Sequence, residues 1–132
     1  MCGLLGGDAV WQAISDRLGA GHDEVSADGL FDLERIECQA ACTHAPVMTV
    51  DWEFFDRVGP GDALAILDAL AAGVEVRSTR GPAVRGYRAA ERTISGIDDD
   101  GLTGEGGNAD ELMLASVRAA AERGIGPADG GR

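Results

Sequence analysis

Three cysteines, Cys2, Cys38 and Cys42, are the residues of this sequence whose type and spacing could do chemistry. Cys38 and Cys42 enclose only Gln39-Ala40-Ala41, and Cys2 stands 36 positions before Cys38. Thiolates ligate metals, and iron–sulfur clusters take four of them, two on each iron of a [2Fe–2S] unit. Small residues beside the sulfurs, here Gly3, Ala40 and Ala41, let the backbone wrap a cluster and aim N–H groups at it. On the residues alone three readings stand side by side: a metal or cluster site, a tetrahedral zinc site completed by His44, and buried structural cysteines. No nucleophile–base constellation and no phosphate-binding glycine loop accompanies them, and Gly3, Gly6 and Gly7 read as shaping the loop after Cys2. His22, beside Asp23 and Glu24, reads as a solvent-exposed loop histidine.

Elements that could position the cysteines follow from periodicity. Asp8 to Leu18 places Val10, Trp11, Ile14 and Leu18 on one face before Gly19, which predicts a helix starting just behind Cys2. A helix N-terminus there would favour a thiolate. Asp28-Gly29 signals a turn, and Leu30 to Glu37 predicts a strand leading to Cys38, although its alternation fails at Arg35. Pro46 to Val50, a turn at Asp51-Trp52, and Glu53 to Val58 predict a hairpin packed by Trp52, Phe54 and Phe55. Pro60 opens a second helix with Leu64, Ile66, Leu67 and Leu70 as its stripe and Gly73 as its end. A helix followed by a strand ordinarily belongs to a βαβ unit, so the expectation is an α/β domain lacking its first strand. Without that strand the apolar faces of Trp11, Ile14, Leu64 and Leu67 would lack part of their platform.

With 132 residues the chain has room for one ordinary domain. Its net charge of −12, with arginine in place of any lysine, argues against a nucleic-acid partner. No apolar run approaches the roughly 18 residues of a membrane span, and the N-terminus lacks the pattern of a secretory signal. Charge is unevenly spread: residues 1–73 carry −10, residues 74–97 carry +3 and residues 98–132 carry −5. The expectation is a folded domain over 1–73, a basic extended docking arm over 74–97 with Tyr87 and Ile94 as anchors, and a mostly disordered acidic, glycine-rich tail over 98–132. Within that tail Ala109 to Arg123 could form a marginal helix.

The run Cys2-Gly-Leu-Leu-Gly-Gly, the run from Ser26 through Cys38-Gln-Ala-Ala-Cys42 to Val47, and Trp52-Glu-Phe-Phe together resemble the E-subunit family of bacterial NADH-quinone oxidoreductases, the respiratory complex I. The resemblance extends from Cys2 to about Gly96. It implies a thioredoxin-like ferredoxin fold holding one [2Fe–2S] cluster, with Cys2, Cys38 and Cys42 as ligands. In the family a C-x4-C pair precedes the first helix and a C-x3-C pair follows the second strand. Cys2 matches the second member of the first pair, and the fourth family cysteine would fall upstream of Met1, with the first strand. A start codon assigned too far downstream and a degenerate copy both fit that expectation. The family often has Leu-Gly inside C-x3-C, where this chain has Gln39-Ala40-Ala41. Thioredoxin-like folds commonly carry a cis-proline before the hairpin, which would be Pro46 here.

What the resemblance implies functionally is electron transfer with no independent catalytic site. FMN and NADH would be bound by a partner subunit, and other peripheral-arm subunits would be neighbours. The complex would lie at the inner, cytoplasmic face of the cell membrane with no insertion by this chain. An acidic body would by itself lower the cluster's potential. Two alternatives remain at this point: the diaphorase module of an NAD-linked hydrogenase or formate dehydrogenase, and a cluster-free thioredoxin-like binding module. His44, two residues after Cys42, reads as facing solvent or bonding within its loop.

Overall fold

The computed structural model describes residues 1–97 and 110–125. Helix α1 runs from Gly7 to Leu18, entered through Gly6 and left through Gly19, both at positive φ (99° and 61°). Helix α2 (Pro60–Ala71) packs directly against it, and this helix pair forms one wall of the core. Val10 and Ile14 of α1 meet Leu33, Phe55, Val58, Ala63 and Leu67. Each large aliphatic side chain buried there stabilises the fold by about 1.5–3 kcal/mol before entropy.

Two short antiparallel sheets supply the other wall. Strands β1 (Glu24–Val25) and β2 (Asp32–Leu33) pair with Glu24 opposite Leu33. Strands β3 (Val47–Val50) and β4 (Glu53–Asp56) form the expected hairpin with Val50 opposite Glu53. Its two-residue turn places Asp51 and Trp52 at φ 47° and 73°, the left-handed pair that such a connection requires. Helix α2 spans Pro60–Ala71, with Pro60 in the first turn and the Gly59 N–H donating to Asp62 Oδ2 at 2.9 Å. The chain is thus mixed α/β, but no parallel strand joins the two sheets among the described residues.

The strand expected over Leu30–Glu37 contracts to Asp32–Leu33. Before it, the buried Ser26 organises a tight loop: its hydroxyl donates to Asp28 Oδ1 at 2.6 Å, while Phe31 N–H donates to Ser26 Oγ at 3.0 Å. The Ser26 hydroxyl, then the Leu30 N–H, hold the Asp28 carboxyl below the usual carboxylate range. After β2, the Arg35 N–H donates to His22 Nδ1 at 3.0 Å instead of to a strand neighbour, which ends the ladder. Local polar bonds outcompete pairing on both sides of a short apolar run.

Residues 74–97, expected as an extended arm, fold in two pieces. Arg77 and Ala83 bridge in antiparallel fashion, and Val76 and Val84 pack against the core. The loop between them lies along β4, with Thr79 N–H donating to the Phe54 carbonyl at 3.1 Å and Asp56 N–H donating to Thr79 Oγ1 at 2.9 Å. Helix α3 (Tyr87–Ile94) follows, with Tyr87 and Ile94 exposed. In the expected tail, helix α4 occupies Glu111–Glu122, close to the marginal helix read from Ala109 to Arg123. Leu112 and Val117 on it are half or more exposed. The remainder of the expected tail, 98–109 and 126–132, lies outside the described residues. Among the described residues no helix is long and apolar enough to cross a membrane.

Candidate functional site

Cys2 heads a tight 3-10 turn, Gly3–Leu5, that runs into α1. Its carbonyl accepts from Leu5 N–H at 3.1 Å and from Gly7 N–H at 2.7 Å, so the residue is pinned to the start of the helix. Gly7 is required for that approach. A Cβ there would sit 2.9 Å from the Cys2 carbonyl oxygen and 3.1 Å from its Cβ.

Cys38 and Cys42 lie on the loop between β2 and β3. Cys38 Sγ accepts the Ala40 N–H at 3.2 Å, the kind of N–H···S bond that stabilises a sulfur carrying negative charge. Ala40 reaches this position at φ 54°, in the left-handed region that favours glycine. A second tight turn, Cys42–His44, then delivers the chain to Ala45-Pro46, whose peptide bond is cis as expected.

His44 does not face solvent; it bonds within its loop, the second of the two expectations, and also beyond it. It is 3 % exposed, with its ring between Thr43 Oγ1 at 2.8 Å and Asp110 Oδ2 at 2.7 Å. A carboxylate only accepts, so Nε2 carries the proton and, in the neutral ring, Nδ1 accepts from the Thr43 hydroxyl. Both ring nitrogens are hydrogen-bonded. The same Asp110 oxygen takes Arg57 NH2 at 3.0 Å. Sequence reasoning misses Asp110 and Arg57, because a lone aspartate 66 positions beyond His44 carries no local signal.

All three cysteines are exposed, unpaired thiols, which corrects the buried structural reading. Their chemistry fits a [2Fe–2S] cluster in kind, and an N–H is already aimed at one sulfur. In number the sequence supplies three of the four thiolates. Among the described residues no three His, Cys, Asp or Glu side chains come together so as to hold a metal ion. His22 is surface-exposed as expected, though its Nδ1 accepts the Arg35 N–H.

Electrostatics around the second hairpin centre on Asp56. Burial raises its carboxyl, but the Arg80 guanidinium, bonded through Nε at 3.0 Å and NH2 at 2.9 Å, outweighs burial and holds it below the usual range. Arg80 also stands 3.9 Å over the Phe54 ring. This cluster stitches the 77–84 loop to β4.

Comparison with known proteins matches residues 1–71 to the family described as thioredoxin-like [2Fe-2S] ferredoxin. The E subunit of the NADH-quinone oxidoreductase of Mycobacterium tuberculosis (strain H37Rv) is 41 % identical over 99 residues, covering 75 % of this chain and 39 % of its own length. NADH-quinone oxidoreductase subunit 2 of Thermus thermophilus is 33 % identical over 91 residues, 68 % of this chain and 50 % of its own. The E subunit of the Rickettsia bellii oxidoreductase is 35 % identical over 69 residues, 52 % of this chain and 41 % of its own. The chain therefore spans half or less of the length of these relatives.

Proposed function

The chain belongs to the thioredoxin-like [2Fe-2S] ferredoxin family, and on that premise we propose that it is an electron-carrying subunit of an NADH-quinone oxidoreductase. The observation that carries the reading is the set of three exposed, unpaired thiols on two loops, all inside the family-matched residues. Cys2, Cys38 and Cys42 would hold the cluster with a fourth ligand that is not one of this sequence's cysteines. When bound, the cluster supplies one-electron redox capacity. The protein's part is to orient the thiolates, to donate the Ala40 N–H to Cys38 Sγ, and to surround the site with an acidic body that disfavours an added electron. Electrons would be exchanged with a flavin- and NADH-binding partner in a complex whose peripheral arm lies on the cytoplasmic side. The matching relatives are named as NADH-quinone oxidoreductase subunits, which favours this complex over a hydrogenase or formate dehydrogenase module.

Anaerobic reconstitution with iron and sulfide tests the reading. Two forms are compared: the chain as it stands, and the chain carrying an N-terminal extension with a cysteine five positions before Cys2. The extended form is expected to bind two irons per chain, to absorb in the visible region and to give a paramagnetic signal on one-electron reduction. Cys2→Ser, Cys38→Ser and Cys42→Ser are each expected to bleach it. An extended form that stays colourless and iron-free, or that takes up stoichiometric zinc instead, would overturn the proposal and leave a cluster-free binding module.

A further inference from the structure

We infer that Arg35 is a positioning residue that holds the loop carrying Cys38 and Cys42 in register with the loop carrying Cys2. The inference rests on the cluster reading above and deepens it. Arg35 lies three residues before Cys38, where the strand alternation breaks, and it makes three separate contacts. Its guanidinium pairs with Asp8 Oδ1, it stands 5.5 Å over the Trp11 ring, and its backbone N–H donates to His22 Nδ1 at 3.0 Å.

Asp8 and Trp11 both belong to the opening turns of α1, the element to which Cys2 is pinned. Gly7 N–H donates to the Cys2 carbonyl at 2.7 Å and Leu5 N–H donates to it at 3.1 Å, which ties Cys2 to the start of the helix. A chain of contacts therefore runs from Cys2 through Gly7 and Asp8 to Arg35, and on to Cys38. Asp8 is suited to its place without Arg35, because a carboxylate complements a helix N-terminus. Arg35 converts that end-charge into a tie between two segments 27 residues apart.

Its guanidinium can hold the carboxylate and cover the indole at once, a combination a lysine ammonium reproduces only in part. Both partners of the ion pair are more than half exposed, so the tie adds little to global stability. Its effect is on loop register. A cluster ligated from both loops needs that register, whereas the fold does not.

The test uses the full chain in reduced, metal-free form. With Cys42→Ser, a short bifunctional thiol reagent reports how often Cys2 and Cys38 meet. With Cys2→Ser, the same reagent reports Cys38 against Cys42 as an internal control. Arg35→Ala and Asp8→Asn are each expected to slow Cys2–Cys38 cross-linking about two- to five-fold, the range an exposed ion pair can shift. The double variant should lose no more than the larger single loss, and Arg35→Lys should recover part of it. The Cys38–Cys42 rate and the urea midpoint should not move. Equal slowing of both cross-links, or no slowing of either, overturns the assignment.

Reconstituted protein separates this inference from the cluster reading. If parent and variants, all carrying the N-terminal extension with its cysteine, alike take up no iron, the cluster reading fails, and the cross-linking ratio still decides the role of Arg35. If the parent binds iron and Arg35→Ala releases it to a chelator no faster, with an unchanged paramagnetic signal, the positioning role fails while the cluster reading stands.

Discussion

Replacing Arg80 should expose how much of the packed body depends on one charge pair. Asp56 has a side chain only 10 % exposed, and Arg80, 28 % exposed, gives it two parallel hydrogen bonds while covering Phe54. Hydrogen bonds to charged groups contribute about 1.5–3 kcal/mol, and breaking a fully buried ion pair costs about 3–5 kcal/mol. Because Arg80 retains contact with water, Arg80→Ala belongs near the lower bound, and the lost stacking on Phe54 adds about 0.5–1 kcal/mol. The expected destabilisation is therefore about 3 kcal/mol at neutral pH. At a urea slope of about 2 kcal/mol/M this moves the midpoint down by about 1.5 M, read from the fluorescence of Trp11 and Trp52. Combining Arg80→Met with Asp56→Asn should recover part of the loss, because no buried charge is then left alone.

The pH dependence has a definite sign. In the parent the folded carboxyl lies below its ordinary value, since Arg80 outweighs burial. Its contribution is present above the unfolded pKa of about 3.9 and is lost as pH falls through the depressed folded value. Without Arg80, burial meets only the weaker lowering influence of His44 and Thr79, so the folded variant binds its proton more readily than the folded parent does. The gap between parent and variant should therefore narrow as pH falls from about 7 towards about 3. A destabilisation below about 0.5 kcal/mol, or a gap that does not change with pH, would refute the reasoning.

Ala40→Gly should relieve the left-handed strain beside Cys38 and raise stability by up to about 1 kcal/mol, whereas Ala40→Val should lower it. An unchanged urea midpoint for both would contradict the backbone geometry. Asp110→Ala removes the acceptor of His44 Nε2 and a partner of Arg57, with an expected cost of about 1–2 kcal/mol. Hydrogen exchange should quicken along α4 and at Thr43 to Ala45, and His44 ring resonances that do not shift would rule the contact out. Leu67→Ala, at the contact between α2 and α1, should cost about 2–4 kcal/mol in thermal or urea unfolding. A loss under about 1 kcal/mol would mean that the helix pair does not form this core.

Helices α1 and α2 and the β3–β4 hairpin can be read from the residues because their information is local. The stripe Val10, Ile14 repeats at helical period between Gly6 and Gly19, and Pro60 and Gly73 punctuate α2. Asp51-Trp52 is legible as a turn from its position between two apolar runs, though no property of tryptophan announces a φ of 73°. The strand before Cys38 reads too long because its apolar residues alternate, while the bonds that cut it short involve Ser26 and His22 in neighbouring segments. Segment 74–97 reads as an open arm because charge is its strongest local feature. Arg80 takes its partner, Asp56, from β4, whereas Arg77 and Arg85 bond Glu75 and Thr93 within the segment.

The sequence by itself determined the thiol chemistry, the spacing of Cys38 and Cys42, the two core helices and the family. All of these are properties of residues within a few positions of one another, where periodicity and spacing act directly. Tertiary structure alone decided which distant polar groups meet: Arg35 with Asp8, Arg80 with Asp56, and His44 with Asp110. Those pairings are separated by 27, 24 and 66 residues. Each exists because packing of the apolar faces brings its segments together first. The polar groups then take the partners that packing leaves within hydrogen-bonding reach.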